Sequence, residues 1–262
     1  MYKTIAVSNE KGGVAKTTTT ISLGAALADL GRRVLLIDLD AQANLTLALG
    51  FEPAEMEHTS SAILLDNAPL LSALRKTEIP NLDLIPSNLR IETSEQFLPV
   101  RTHYVSTLKR AIASAPNLPY DYILLDCPPS LGAVTQNALA AADLLVIPTQ
   151  AEYFSAYALR NMMALIRRIR EEDNPSLAYR ILVTMLDNRN RTHRNIHEQL
   201  RATFGEGVFS AVIEMDTKLR ESSIAGMPIS RYKPGARGAT QYHVLAQEVM
   251  EYVQETENQQ AA

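Results

Sequence analysis

The chain contains one cysteine, Cys127, in 262 residues. A disulfide needs two and a thiolate-held cluster needs more, so both are excluded and a reducing compartment is expected. Met1-Tyr2-Lys3 runs straight into an apolar segment with no leader-like pattern, and no apolar run approaches the roughly 18 residues of a membrane span. A cytosolic protein is expected. Internal repeats, low-complexity tracts and a linker between two domains are also absent. A chain of this length with 46% hydrophobic residues suits one large core, so the expectation is a single domain over 1–254 and a polar, fraying tail over 255–262. Positive charge is in deficit, with 25 Lys and Arg against 29 Asp and Glu. That balance argues against a nucleic-acid partner unless the charge is segregated along the chain.

What is present is a series of short, continuous apolar runs: Thr4–Val7, Val34–Ile37, Leu82–Ile85, Tyr122–Leu125, Leu144–Ile147, Ile181–Met185 and Val208–Ile213. Runs of this kind separated by helix-length segments predict an α/β fold, a doubly wound and mostly parallel sheet flanked by helices. Helices are predicted over Thr18–Leu30, closed by Gly31, over Ser155–Glu172, ended by Asn174-Pro175, and over Ala239–Val253. The polar region Glu52–Pro80 is expected to hold one short helix around Ser61–Leu74.

In such a sheet ligands bind beyond the carboxyl ends of the strands. After the first run comes Lys11-Gly12-Gly13-Val14-Ala15-Lys16-Thr17-Thr18 and then an alanine- and leucine-rich stretch, which reads as strand, glycine turn and helix start. Gly12 and Gly13 allow a tight turn whose N–H groups point inward, and the opening helix adds its positive end, so the segment suits phosphate groups. Lys16 would reach the β- and γ-phosphates and Thr17 would offer a hydroxyl to Mg²⁺. The strict G-x-x-x-x-G-K-[ST] pattern is not met, because Glu10 and Ala15 occupy the two glycine positions. Instead there is a second lysine, Lys11.

The second run ends in Asp38-Leu39-Asp40, and alternate residues share one side of an extended chain, so both carboxylates could face the phosphates. Turn formation by Asp40 is the other reading. Tyr122–Leu125 ends in Asp126-Cys127-Pro128-Pro129-Ser130-Leu131-Gly132, an apolar run followed by a carboxylate suited to hold Mg²⁺, partly through water. A capping Asp before a proline turn would give the same string. Cys127 reads as a small packed thiol.

The two-lysine loop resembles the deviant Walker A motif of the ParA/MinD group of P-loop ATPases. The likeness extends to DLDAQAN, similar to that group's switch I, and to Asp126–Gly132, similar to its switch II. Val146–Phe154 is similar to the IPVQxEYF segment of ParA/Soj-type members, and Gly226–Ile229 and Arg237–Ala239 resemble their C-terminal pattern, so the likeness spans nearly the whole chain. Glu214-Met215-Asp216 stands where many members carry Pro-Arg-Asn, a segment tied to adenine and DNA contact. The resemblance implies a nucleotide loop of Lys11, Gly12, Gly13, Val14, Ala15, Lys16, Thr17 and Thr18, with Mg²⁺ at Thr17, Asp38 and Asp126. It implies that Asp40 supports water attack and that Lys11 crosses to the nucleotide of a partner subunit, so that ATP drives formation of a homodimer with slow turnover.

From Arg180 to Arg237 ten cations face six anions in a chain whose total charge is −4. Such clustering suits the phosphate backbone of DNA, and a solvated helix face with pairs such as Arg194–Glu198 is the other reading. The family resemblance favours the first, with Arg189 and Lys218 at positions that bind nonspecific double-stranded DNA and Arg191 and Arg220 beside them. It implies an ATPase that moves chromosome or plasmid cargo, is associated with the nucleoid when ATP-bound, and is stimulated by a ParB-like or other cargo-adaptor protein. The same cycle could position a protein assembly. A MinD-like membrane-cycling regulator fits less well, because Glu248–Ala262 is acidic rather than basic and amphipathic, and no membrane partner is expected.

Overall fold

A computed structural model describes residues 2–115, 117–152 and 155–261. The first half consists of β1 (Lys3–Val7), α1 (Lys16–Asp29), β2 (Val34–Asp38), α2 (Asn44–Leu47), α3 (Ser60–Asp66), β3 (Arg75–Lys76), β4 (Leu82–Ile85), α4 (Ile91–Phe97) and α5 (Thr107–Ser114). Then come β5 (Tyr122–Asp126), α6 (Ala133–Ala141), β6 (Leu144–Gln150), α7 (Ser155–Glu172), β7 (Ala178–Leu186), α8 (Arg191–Phe204) and β8 (Val208–Glu214). The chain finishes with α9 (Thr217–Ile224), α10 (Ile229–Tyr232) and α11 (Arg237–Ala261).

The strands form one sheet in the order β3-β4-β2-β5-β1-β6-β7-β8, with every neighbouring pair parallel except β3–β4. Side chains alternate between two cores. Ala6, Leu35, Ile37, Ile123 and Leu125 pack under α3 to α8, while Ile5, Val7, Val34, Leu36 and Leu124 pack under α1, α2 and α9 to α11. Burial on both faces is why these strands are continuous apolar runs without polar alternation.

The seven runs all lie in strands, most of them one to four residues longer than expected. Three differences stand out. The Glu52–Pro80 region holds α3, short 3-10 turns at Pro53–Glu55 and Leu70–Ala73, and the two-residue antiparallel edge strand β3 instead of one helix. α6 has no counterpart among the expected helices, because the polar residues of AVTQNALAA, Thr135 to Asn137, fall on successive sides of the helix and leave no amphipathic stripe. The expected tail is helical: α11 continues to Ala261 with no Gly or Pro to stop it, and Glu257 pairs with Lys3 at 3.3 Å. No helix among the described residues is long and apolar enough to cross a membrane.

α11 locks α1 to the sheet through Tyr242, whose hydroxyl lies 3.1 Å from Thr19 Oγ1 with both side chains buried. Tyr242→Phe is expected to cost about 1 kcal/mol by breaking that bond. Tyr242→Ala should cost about 3–5 kcal/mol through the cavity it leaves. Urea denaturation midpoints check both, and equal midpoints for wild type and Tyr242→Phe would show that the bond contributes nothing.

Candidate nucleotide site

Register brings the carboxylates together. On adjacent parallel strands Asp38 of β2 pairs with Asp126 of β5, and Asp126 pairs with Val7 of β1, so both strands end beside the loop that leaves β1. The ends are tied by backbone bonds from Leu39 N–H to Asp126 O at 3.0 Å and from Cys127 N–H to Val7 O at 3.2 Å.

The loop is stitched to β6 and β7. Asn9 Nδ2 donates to Pro148 O at 2.8 Å, Gln150 Nε2 to Gly13 O at 3.1 Å and Thr184 Oγ1 to Val14 O at 3.1 Å. Glu10, at the first irregular position, accepts from Asn161 Nδ2 of α7 at 2.9 and 3.1 Å. Gly13 has φ +74° and Ala15 has φ +69°. The position the strict pattern reserves for the second glycine is therefore left-handed, and alanine holds it at a cost of roughly 1–2 kcal/mol.

The two lysines part ways. Lys16 is 8% exposed and its Nζ donates to Lys11 O at 3.0 Å, inside the loop. Burial pulls its ammonium below the ordinary lysine range, against the charges of Asp126 and Asp40. Lys11 turns outward: its Nζ lies 2.6 Å from Glu152 Oε2 and 3.1 Å from Gln150 Oε1. Tyr153 and Phe154, the end of the IPVQxEYF-like segment, lie outside the described residues.

Asp38 and Asp126 are fully buried. Asp38 Oδ2 accepts from Thr46 N–H at 2.9 Å and Thr46 Oγ1 at 2.7 Å, and Thr46 Oγ1 in turn accepts from Ser87 N–H at 2.9 Å. Asp126 Oδ1 lies 3.0 Å from Thr20 Oγ1, while Oδ2 has no hydrogen-bond partner. Thr17 and Thr20 both act to favour the ionised Asp126 carboxylate against its burial. A buried carboxylate oxygen left unpaired beside a threonine hydroxyl fits a hydrated Mg²⁺. Asp40 is buried too, and its Oδ1 accepts from Gln42 N–H at 3.0 Å, so it makes the turn the sequence allowed while keeping its place beside Asp38. Cys127 is packed, its thiol pushed up by burial and then by the Asp126 charge.

Beside Ala15 and Thr18 opens a cavity of about 470 Å³, walled by Met185 and Ile213 and by Glu214, Met215 and Asp216. Arg189 and Arg220 stand at this same cavity. Arg189 has a 91% exposed side chain and a two-point contact with Asp187, at 3.0 and 3.2 Å. Lys218 pairs instead with Glu221 at 2.7 Å, and Arg191 is exposed at the start of α8. Arg189 and Arg220 thus share one cavity, with Lys218 two residues before Arg220 on α9 and Arg191 two residues after Arg189. Arg194 donates to Asn188 O, and no Arg194–Glu198 pair forms among the described residues.

The structure adds Thr20, Thr46, Asn9 and Glu10 to the site. Thr20 follows the motif by one helical turn from Lys16, which is a readable signal. Thr46 reaches Asp38 only because α2 folds back over β2, and no spacing rule announces that.

Burial raises both carboxylates above the ordinary range, for Asp126 with the Asp38 charge as the next cause. A raised pKa in the fold means the ionised form is disfavoured there. This contribution to stability is therefore complete below the ordinary carboxylate range and is lost as pH rises through about 6 for Asp38 and about 8 for Asp126. Asp126→Asn should stabilise the ligand-free protein by about 1–3 kcal/mol at about pH 7.5 and much less at about pH 4.5. Thermal melts at the two pH values check this, and an equal effect at both would remove the electrostatic explanation.

Residues 2–179 match the AAA_31 family, described as an AAA domain. The sporulation initiation inhibitor protein Soj of Bacillus subtilis is 41% identical over 251 residues, covering 95% of this chain and 98% of its own. The chromosome partitioning protein ParA of Caulobacter vibrioides is 39% identical over 250 residues, covering 95% and 94%. Among solved structures, cobyrinic acid a,c-diamide synthase from Mycobacterium smegmatis with bound ADP and magnesium superposes with a TM-score of 0.85 at 31% identity, covering 97% and 96%. Relatedness of this extent reaches from the two-lysine loop to the last helix, and the chain belongs to the ParA/Soj family of partition ATPases, P-loop enzymes that use ATP and Mg²⁺.

Proposed function

We propose that this ATPase works as an ATP-gated homodimer that binds DNA without sequence preference and lets go when a cargo-bound partner stimulates hydrolysis. The observation that carries the reading is the division of labour between the lysines: Lys16 is sunk in its own loop, while Lys11 faces outward, held by Glu152 and Gln150. An ammonium held there can exchange Glu152 for a phosphate of the facing subunit at little cost, since partly exposed pairs are worth about 0–1 kcal/mol. Dimerisation then completes the site.

In this reading the amides of Gly12 to Ala15 and the Lys16 ammonium bind the phosphates, Thr18 borders the base cavity, and Asp40 orients the attacking water. Thr17, Asp38 and Asp126 hold Mg²⁺, partly through water, and the ion when bound neutralises charge on the phosphate oxygens. Positioned charge suffices for such a transfer, and turnover is slow until a partner acts.

Arg189, Arg191, Lys218 and Arg220 supply the DNA contact. The Asp187 and Glu221 pairs do not oppose this, because exposed pairs are weak and phosphate competes for them. The cargo is a chromosome or plasmid reached through a ParB-like adaptor, or a protein assembly. The 31% identity to the diamide synthase favours a small-molecule ligase less than the 39–41% identity to partition proteins favours partition, over the same span.

The test is binding to an arbitrary DNA duplex with ATP or ADP at two salt concentrations, with Asp40→Ala suppressing turnover. ATP-dependent binding is expected, with a log–log salt slope of roughly −5 to −7 if three or four cations per subunit meet phosphates. Arg189→Glu with Lys218→Glu should weaken it by at least about tenfold while leaving the ATP dimer intact. No binding in either nucleotide state would overturn the DNA reading. Lys16→Ala should abolish nucleotide binding, and unchanged affinity by calorimetry would remove Lys16 from the site.

A further inference from the structure

The loop that follows Asp126 has a second anchor, outside the nucleotide site. Residues 127–132 run from the end of β5 to the start of α6, and the first amides of α6 are capped by a side chain from α4. Ala133 N–H donates to Glu95 Oε2 at 2.6 Å and Val134 N–H to Glu95 Oε1 at 3.2 Å. The Ser130 hydroxyl lies 3.5 Å from Oε1. Amides in a first helical turn have no partner within the helix, and charge-assisted bonds to a carboxylate are among the strongest available. Glu95 works from a firm base, since Ile91 and Ser94 on the same short helix are buried.

Gly132 is an independent sign of the same contact. Its φ of −76° suits any residue, so glycine is not needed there for conformation. A Cβ at 132 would overlap the Glu95 carboxylate. The glycine is explained by the closeness of Glu95, and because that carboxylate is the far end of a flexible side chain, an added methyl would swing it off α6. The loop in turn is tied to α6: Thr135 Oγ1 donates to Ser130 O at 2.7 Å and Gln136 Nε2 to Leu131 O at 3.1 Å.

We infer that Glu95 is a positioning residue for ATP hydrolysis: by capping α6 it fixes the far end of loop 127–132, as the Cys127 to Val7 bond fixes the near end. The inference rests on Asp126 acting at the magnesium site. Glu95 touches no reacting group and acts through the loop.

The test pairs hydrogen exchange of segment 128–136 in nucleotide-free protein with steady-state ATP turnover, for Glu95→Ala, Gly132→Ala and the double variant. Each single change should raise local exchange about tenfold and lower kcat about fivefold, with KM for ATP within about twofold. The double variant should be no worse than either single one, since both remove one contact. Glu95→Gln keeps an acceptor oxygen and should restore most of the protection. Unchanged exchange in the segment overturns the anchor, and a rise that extends to α11 makes Glu95 merely structural. Raised local exchange with unchanged kcat overturns the link to hydrolysis. If Glu95→Ala does not fold, Gly132→Ala carries the same readouts. Absence of turnover in the wild type would instead overturn the ATPase roles of the site, while exchange would still report on the cap.

Discussion

The in-register pairing of β2, β5 and β1 is the constraint on which the site depends. It sets Asp38 and Asp126 side by side at the end of an apolar sheet and delivers the phosphate loop from the neighbouring strand. Two buried carboxylates in one corner repel and are poorly solvated, so the surrounding groups must offset that cost. Hydroxyls do part of it: Thr46 for Asp38, Thr17 and Thr20 for Asp126. Lys16 adds a buried positive charge. What is left unsatisfied, Asp126 Oδ2, marks the place where hydrated Mg²⁺ fits.

The loop is shaped as much by its neighbours as by its glycines. Side chains from β6 and β7 hold the carbonyls of Gly13 and Val14, and Asn9 reaches back to Pro148. With carbonyls pulled outward, amides are left to point the other way, which is the requirement for an anion site. These stitches explain how an alanine survives at a left-handed position. The strain at Ala15 is small against a set of bonds that over-determines the turn.

Charge is arranged on two scales. Near the loop, Lys11 is held by residues of β6 and the turn after it, so a change at that edge alters which phosphate-binding cation is available. Farther out, the arginines and lysines of the C-terminal third are spread around the cavity mouth and the starts of α8 and α9, several of them in exposed pairs. Exposed pairs respond to salt and to competing anions, which suits reversible contact with a polyanion.

The strands and the phosphate loop were legible because their signals are local: continuous apolar runs, a glycine pair, a lysine and threonine at a helix start. β3 and α6 were less so, since an edge strand of two residues has almost no pattern and a helix with polar residues scattered round it has no period. The amino-acid sequence by itself determined the α/β class, the chemistry of the loop and the carboxylates at the strand ends, because each depends on residues close in the chain. Tertiary structure alone decided that Asp38 faces Asp126, that Glu95 supports the loop after β5 from α4, and that Lys11 turns away from Lys16 toward Glu152. Those facts depend on strand order and register, which bring together residues tens of positions apart and which no local spacing encodes.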